Sequence, residues 1–213
     1  IRHLTINNTG GDTVSIGVHT EDVVDGSVSM MNVTATGTGG TTSNYGVRNY
    51  SSSPSMMNVT ATATGGTFSY SVYNYSSSPS MTDVTATATG GTYSNYGVHN
   101  YNSSPSMTDV TATGTGGTTS YGVYNESSSP SMMNVTATAT GGTNSYGVVN
   151  ESSSSPSVRN SSFTGDDRSI YNSGTSSAQV ADTMLDGPVV AGGGLTCVGA
   201  YDETFVALDD VCE

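Results

Sequence analysis

Lysine and tryptophan are absent from this sequence of 213 residues, and the only fixed side-chain cations are Arg2, Arg48, Arg159 and Arg168. Against them stand 17 acidic residues, which leaves a net charge of −13. So few cations cannot neutralise a phosphate backbone, and acidic lipid headgroups would repel the same surface, so neither nucleic acid nor an anionic membrane is expected as a partner. No apolar run approaches the roughly 20 residues that a membrane-crossing helix needs. No leader peptide is visible, as a processed N-terminus would read. Two cysteines, Cys197 and Cys212, are too few for a four-cysteine zinc site, and no His-x-x-His or Cys-x-x-Cys spacing occurs. Apolar residues are also scarce, and such a composition would read as disorder if it carried no pattern.

The pattern is a repeat. Pro-Ser recurs at Pro54, Pro79, Pro105, Pro130 and Pro156, at spacings of 25, 26, 25 and 26. Gly-Gly pairs begin at Gly39, Gly65, Gly90, Gly116 and Gly141, at spacings of 26, 25, 26 and 25. Within a unit two stretches of period-2 alternation are separated by two turn clusters, and no stretch repeats every 3.6 residues, so strands joined by tight turns are expected throughout. Alternation assigns Val59, Ala61 and Ala63 to one face and Thr60, Thr62 and Thr64 to the other. In the second stretch it groups Tyr70, Val72 and Asn74 on one face. The neighbouring position varies through Arg48, Tyr73, His99, Tyr124 and Val149 and is therefore expected to be exposed.

A unit of this size with small inward residues cannot close a core alone, whereas stacked units share one. On this coil pattern the sequence resembles the right-handed parallel β-helix repeat proteins, a group of secreted and surface proteins whose scaffold also occurs in pectate lyases and phage tailspikes. The resemblance implies an all-β, right-handed parallel β-helix of about eight coils of 25–26 residues. Coils are expected over residues 1–175, followed over 176–213 by a terminal coil and a cap closed by a Cys197–Cys212 disulfide. Such a disulfide implies an oxidising, extracellular or cell-surface location.

Asn49, Asn74, Asn100, Asn125 and Asn150 fall at one point of successive coils and are expected to form a ladder inside the turn. Four of them also begin Asn-x-Ser acceptor sequences, which the Ser-rich turn produces on its own. Asn32, Asn58 and Asn134 begin Asn-Val-Thr, but the equivalent Asp83 and Asp109 cannot carry a glycan, so this column reads as a solvent-facing turn position open to glycosylation. The first coil aligns Ile1 with Met30 and Leu4 with Val33. Ile1, Leu4, Ile6, Val14 and Ile16 are expected to make an apolar, uncapped assembly end.

Stacking brings Asp83 near Asp109 and Glu126 near Glu151, but any solenoid does this, and no basic residue accompanies either pair. The pectate-lyase scaffold's calcium-binding aspartates and proton-abstracting base are missing, His3, His19 and His99 lack catalytic company, and the Gly-Gly pairs are turns. No enzyme, no metal and no cofactor is expected. Asp166-Asp167, Asp202-Glu203 and Asp209-Asp210 read as solvated loop charge. The outward threonines make a grid that includes Thr60, Thr62, Thr64, Thr85, Thr87, Thr89, Thr111, Thr113 and Thr115, consistent with strand propensity and solubility, and otherwise with O-glycans, lateral packing or ice binding. The expected function is structural: an extracellular surface or matrix protein whose partner is itself, joined head to tail into a filament. The alternative is a carbohydrate-binding adhesin or tailspike-like module with Tyr73, Tyr124 and the Tyr50, Tyr75 and Tyr101 column as sugar platforms. Ice binding and polysaccharide degradation stand below both.

Overall fold

A computed structural model describes residues 1–23 and 27–212. The chain is an all-β parallel solenoid with no helix among these residues. Each regular coil lays down a ten-residue strand such as Ser55–Thr64, turns at Gly65-Gly66, lays down an eight-residue strand such as Phe68–Tyr75, and returns through Ser-Ser-Ser-Pro. The long strands stack into one sheet, here called the threonine sheet, and the short ones into an eight-stranded sheet, the tyrosine sheet. Every strand pairs parallel with its counterpart one coil away, so like residues meet: Val59 faces Val84, Ala61 faces Ala86, and Thr62 faces Thr87.

The alternating coil lengths are absorbed in turns, which keeps that register. Where a coil has 26 residues because its glycine turn is longer, an asparagine closes the turn: Asn44 accepts the Gly40 N–H at 2.8 Å and donates to the Gly40 carbonyl at 2.9 Å, and Asn95 does the same for Gly91. Shorter turns use Ser69 or Ser120, whose hydroxyls donate to the carbonyls of Gly65 and Gly116. Between Pro130 and Pro156 the additional residue lies instead in the serine turn, where Ser152 and Ser153 both have positive φ.

Met30, Met56, Met81, Met107 and Met132 form one fully buried column, flanked by the valine column from Val33 to Val135 and by alanines. Met56 and Val59 are three residues apart yet both point inward, because Asn58 between them is left-handed at φ 50. The same kink recurs at Asn32, Asp83, Asp109, Asn134, Asn160 and Asp182. Asn and Asp tolerate this conformation better than other residues with a Cβ. This column therefore lies on a mid-strand bulge rather than at the expected turn, and Asn/Asp exchange reflects backbone conformation.

The tyrosine sheet departs from simple alternation. Ser71 and Val72 are both buried, as are Gly97 and Val98, so the residues on either side, Tyr70 and Tyr73, both face outward. The expected inward grouping of Tyr70 with Val72 is thus corrected. The cause is the close approach of the two sheets: a Cβ on Gly46 would sit 2.7 Å from the Ser71 carbonyl and 2.7 Å from the Thr62 amide, leaving room only for glycine or a small serine. Val14 and Ile16 pair with Ser43 and Tyr45, so they too belong to the outer face and not to the core. Val14 is exposed and Ile16 half-buried; Leu4 and Ile1 stand in core columns at the outermost coil and are exposed, while Ile6 packs against the core.

Beyond Pro156 the repeat shortens, first to 22 residues, as the Asn150–Asn172 and Ser154–Ser176 pairings show, and then further, as Ile170 pairs with Val189 and Val180 with Cys197. Phe163 and Leu185 replace alanine in the core. Pairing continues across residue 175 to Gly194–Val198. The segment that follows folds over this last strand: the Cys197 N–H donates to Asp210, the Leu208 N–H to Ala200, and Cys197 and Cys212 are joined as a disulfide with Cα atoms 5.5 Å apart.

Candidate functional site

Eleven of the 13 tyrosines lie on the outer face of the tyrosine sheet, in three columns. The first holds Tyr45, Tyr70, Tyr96, Tyr121 and Tyr146, the second Tyr73, Tyr124 and Tyr171, and the third Tyr50, Tyr75 and Tyr101. Coil register alone produces the stacking, because equivalent rings arrive at nearly the parallel-strand separation of about 4.7–4.9 Å. Tyr45–Tyr70, Tyr70–Tyr96 and Tyr96–Tyr121 have centroids 4.9, 4.8 and 4.8 Å apart with planes within 7°. Tyr50–Tyr75 and Tyr75–Tyr101 are 4.7 and 5.0 Å apart. Arg48 and Arg168 lie against the ends of the array as cation–π partners. Rings stacked in this way cover one another's faces, so the two flanking columns offer edges and hydroxyls to solvent, not the flat platforms that a sugar ring would stack on.

The middle column corrects the expectation of a freely exposed position. His99 is 8% exposed and Val149 is 1% exposed, while Arg48, Tyr73 and Tyr124 are half-buried. Large rings on both sides enclose whatever residue stands there, so its variability reflects tolerance within an aromatic groove. His99 stacks on Tyr96 at 4.9 Å, meets the ring of Tyr124 edge-on at 4.8 Å and that of Tyr73 at 5.1 Å, and has no hydrogen-bond partner on either ring nitrogen. Its Nε2 is 4.0 Å from the Glu126 carboxylate. Burial pulls the imidazole pKa down to about 3. Burial and the neighbouring Glu151 together raise that of Glu126. The Tyr124 hydroxyl donates to Glu151 at 2.8 Å. Burial, first of all, raises the pKa values of Tyr70, Tyr73, Tyr96, Tyr121 and Tyr124.

An acid-sensitivity prediction follows from His99. Its folded pKa lies below its ordinary value of 6.5, so the unfolded chain binds the extra proton first. The stability this residue contributes is complete above 6.5 and is lost as pH falls from there toward 3, at up to about 1.4 kcal/mol per pH unit. Glu126, shifted upward, acts in the opposite sense as pH falls. Urea unfolding of the wild type should weaken with acidification more steeply than that of His99→Tyr, a side chain this column already accepts. Parallel pH profiles would sink the assignment.

The asparagines form a continuous buried chain. Thr20 donates to Asn49 at 2.7 Å, and amide-to-amide bonds of 2.8–2.9 Å run through Asn74, Asn100, Asn125 and Asn150 to Asn172, which donates to the Gly194 carbonyl. Beside it runs a serine ladder that sequence reasoning missed. The hydroxyls of Ser77, Ser103, Ser128 and Ser154 each accept an N–H from the preceding coil. Their signal was the serine two residues before each turn proline, recurring at coil spacing. Asn49, Asn74, Asn125 and Asn150 are fully buried, so mass spectrometry of the native protein should find no glycan on them; a glycan on Asn74 or Asn125 would contradict the inward placement.

The other sequence-derived positions are not gathered into one place. Asn58 donates to Asn32 at 2.6 Å, and Asn134 to Asp109 at 2.9 Å, along the exposed bulge column. Thr60, Thr85 and Thr111 are exposed and Thr62, Thr87 and Thr113 half-buried on the outside of the threonine sheet, in line with the half-buried Thr89 and Thr115 and the exposed Thr64. The loop acids have local work: Asp166 accepts the Gly141 N–H, Asp167 the Ser145 N–H, and Asp202 the N–H groups of Thr204 and Val206, which, with the Thr204 hydroxyl, lower its pKa. Among the described residues no group of three His, Cys, Asp or Glu side chains is placed to hold a metal. A hollow of about 180 Å³ lies over Val158, Val180 and Val198, and one of about 310 Å³ over Asn134, Asn160 and Tyr201. Neither brings together a nucleophile and a base.

No family model matches the sequence, and no curated protein matches it. Among solved structures, the receptor-binding domain of the siphovirus 9NA tailspike aligns at a TM-score of 0.30 and 9% identity, over 93% of this chain and 42% of the tailspike domain. This chain therefore spans less than half of that domain. The plasmid-mediated fluoroquinolone resistance protein QnrB1 aligns at a TM-score of 0.24 and 9% identity, over 92% of each chain.

Proposed function

We propose that this chain is a structural shaft of a cell surface or extracellular matrix, its copies joined end to end. The observation that carries this reading is the uninterrupted register. Asparagines, serines, methionines, threonines and tyrosines each repeat from coil to coil, so like side chains of successive coils hold one another along the stack. The disulfide supports an oxidising compartment. Exposed apolar residues of the segment that folds over the last strand, Phe205, Val206 and Val211, support self-association. Two different surfaces that meet without closing a ring generate a filament. Because the terminal segment covers the last strand, the contact would be apolar packing against that segment rather than strand addition.

A second reading is favoured by the gathering of tyrosines on one face: an adhesin that binds glycans through rows of phenol hydroxyls and the tilted rings of Tyr73 and Tyr124. Sedimentation and negative-stain microscopy of the purified protein across a concentration series test the first reading, which expects filaments one molecule wide. A strictly monomeric protein at high concentration and near-neutral pH would remove end-to-end joining, and selective retention of that monomer on a glycan array would install the adhesin.

A further inference from the structure

We propose that Tyr124, through its hydrogen bond to Glu151, is where one-electron oxidation of the stacked tyrosine array comes to rest, and that it is a site of covalent tyrosine–tyrosine cross-linking between copies of this chain. The proposal does not depend on end-to-end joining; any encounter of two oxidised faces suffices.

Three observations carry it. First, the rings of the array are in continuous contact. They lie 4.8–4.9 Å apart and nearly parallel from Tyr45 to Tyr121, and Tyr124 meets Tyr121 edge-on at 5.0 Å. An electron vacancy created on one ring is therefore passed among its neighbours. Second, the vacancy has one preferred stopping point. A phenol that loses an electron becomes a strong acid, so oxidation is easiest where a proton acceptor already waits. Among the described residues, Tyr124 is the tyrosine whose hydroxyl is bonded to a carboxylate, 2.8 Å from Glu151, and such charge-assisted bonds are the strong ones. Third, competition on the tyrosine face is limited. The chain has no tryptophan, its described cysteines are paired, and the methionine column is sealed in the core, while the exposed Met57 and Met133 stand on the threonine sheet.

The chemistry balances as follows. A one-electron oxidant, such as the high-valent iron–oxo state of a haem peroxidase supplied with hydrogen peroxide, takes one electron from the array. The Tyr124 phenolic proton moves to Glu151, leaving a neutral tyrosyl radical beside a carboxylic acid. Two such radicals on two copies form a carbon–carbon bond between ring positions next to the oxygens. The ring hydrogens at that bond shift to the oxygens as the rings regain aromaticity, and the two protons held by the Glu151 carboxyls pass to water. Two electrons and two protons leave for each cross-link.

The test is peroxidase and hydrogen peroxide acting on the full chain, with dityrosine fluorescence and peptide mapping by mass spectrometry. Cross-links should map mainly to Tyr124, and Glu151→Gln and Tyr124→Phe should each reduce them several-fold. Glu126→Gln, which leaves the Tyr124–Glu151 bond in place, should not move them. Circular dichroism verifies that each variant keeps its fold. If cross-links instead follow exposure, with Tyr93 at 55% exposed leading, and Glu151→Gln leaves their distribution unchanged, the proposal is overturned.

Discussion

Asn100→Ala should be the most damaging single polar substitution in the regular coils. Asn100 accepts from Asn74 at 2.8 Å and donates to Asn125 at 2.9 Å, with no solvent exposure at any of the three. Truncation leaves the buried Asn125 acceptor without a partner and the buried Asn74 amide with only the weak Met81 sulfur contact at 3.9 Å. Each such orphan costs about 1–3 kcal/mol, and the small void adds to it. The midpoint of urea unfolding should fall accordingly, with little change in slope. Asn100→Asp provides the sharper contrast: a carboxylate accepts from Asn74 but has nothing to donate to Asn125, and a buried charge is added. It should be at least as destabilising at neutral pH and recover as acid protonates it. A variant in which Asn100→Ala unfolds like the wild type would show that the ladder is an ornament of the turn and not a support.

Reduction of the Cys197–Cys212 disulfide should produce the second large effect. The bridge closes a segment with a sequence separation of 15, worth about 3 kcal/mol in the chain-entropy account. That segment also holds the last turn of the chain, through Cys197 N–H to the Asp210 carbonyl, Leu208 N–H to the Ala200 carbonyl and the Tyr201–Ala207 bridge. With the bridge cut, hydrogen exchange should rise first in residues 195–212 and then in the shortened coils behind them, while the regular coils hold. Loss of protection spread evenly along the solenoid would contradict this, because it would mean that the whole stack melts as one unit.

What could be read from the sequence follows from how coils repeat. Val59, Ala61 and Thr62 alternate strictly and recur in kind, so period 2 assigns their faces without reference to the rest of the coil. The asparagine column was legible for a similar reason: one residue type at one offset, next to a turn, has few other ways to be satisfied. Alternation failed for Tyr70, because the two consecutive inward residues Ser71 and Val72 answer to the narrow gap between sheets, a distance between segments far apart in the chain. The same holds for His99. Its neighbours Tyr73, Tyr96 and Tyr124 come from three coils, and variability at its position looks the same whether it is exposed or enclosed by rings. The Tyr124–Glu151 bond likewise joins residues of adjacent coils at different offsets, which a column-by-column comparison does not align.

The matched ladders also bear on heredity. Near-identical coils imply near-identical stretches of coding DNA in tandem, where unequal exchange adds or removes copies. Loss or gain of one whole coil, 25 or 26 codons, leaves each ladder with a like residue to bond and changes the length of the solenoid by about 4.8 Å. An exchange that is off by one residue within a strand would turn threonines inward and alanines outward along that rung, and only its turns could absorb the error, as the serine turn before Pro156 has done with one additional residue. Length is thus the property of this solenoid that lineages can vary most cheaply, and related solenoids should differ by whole coils.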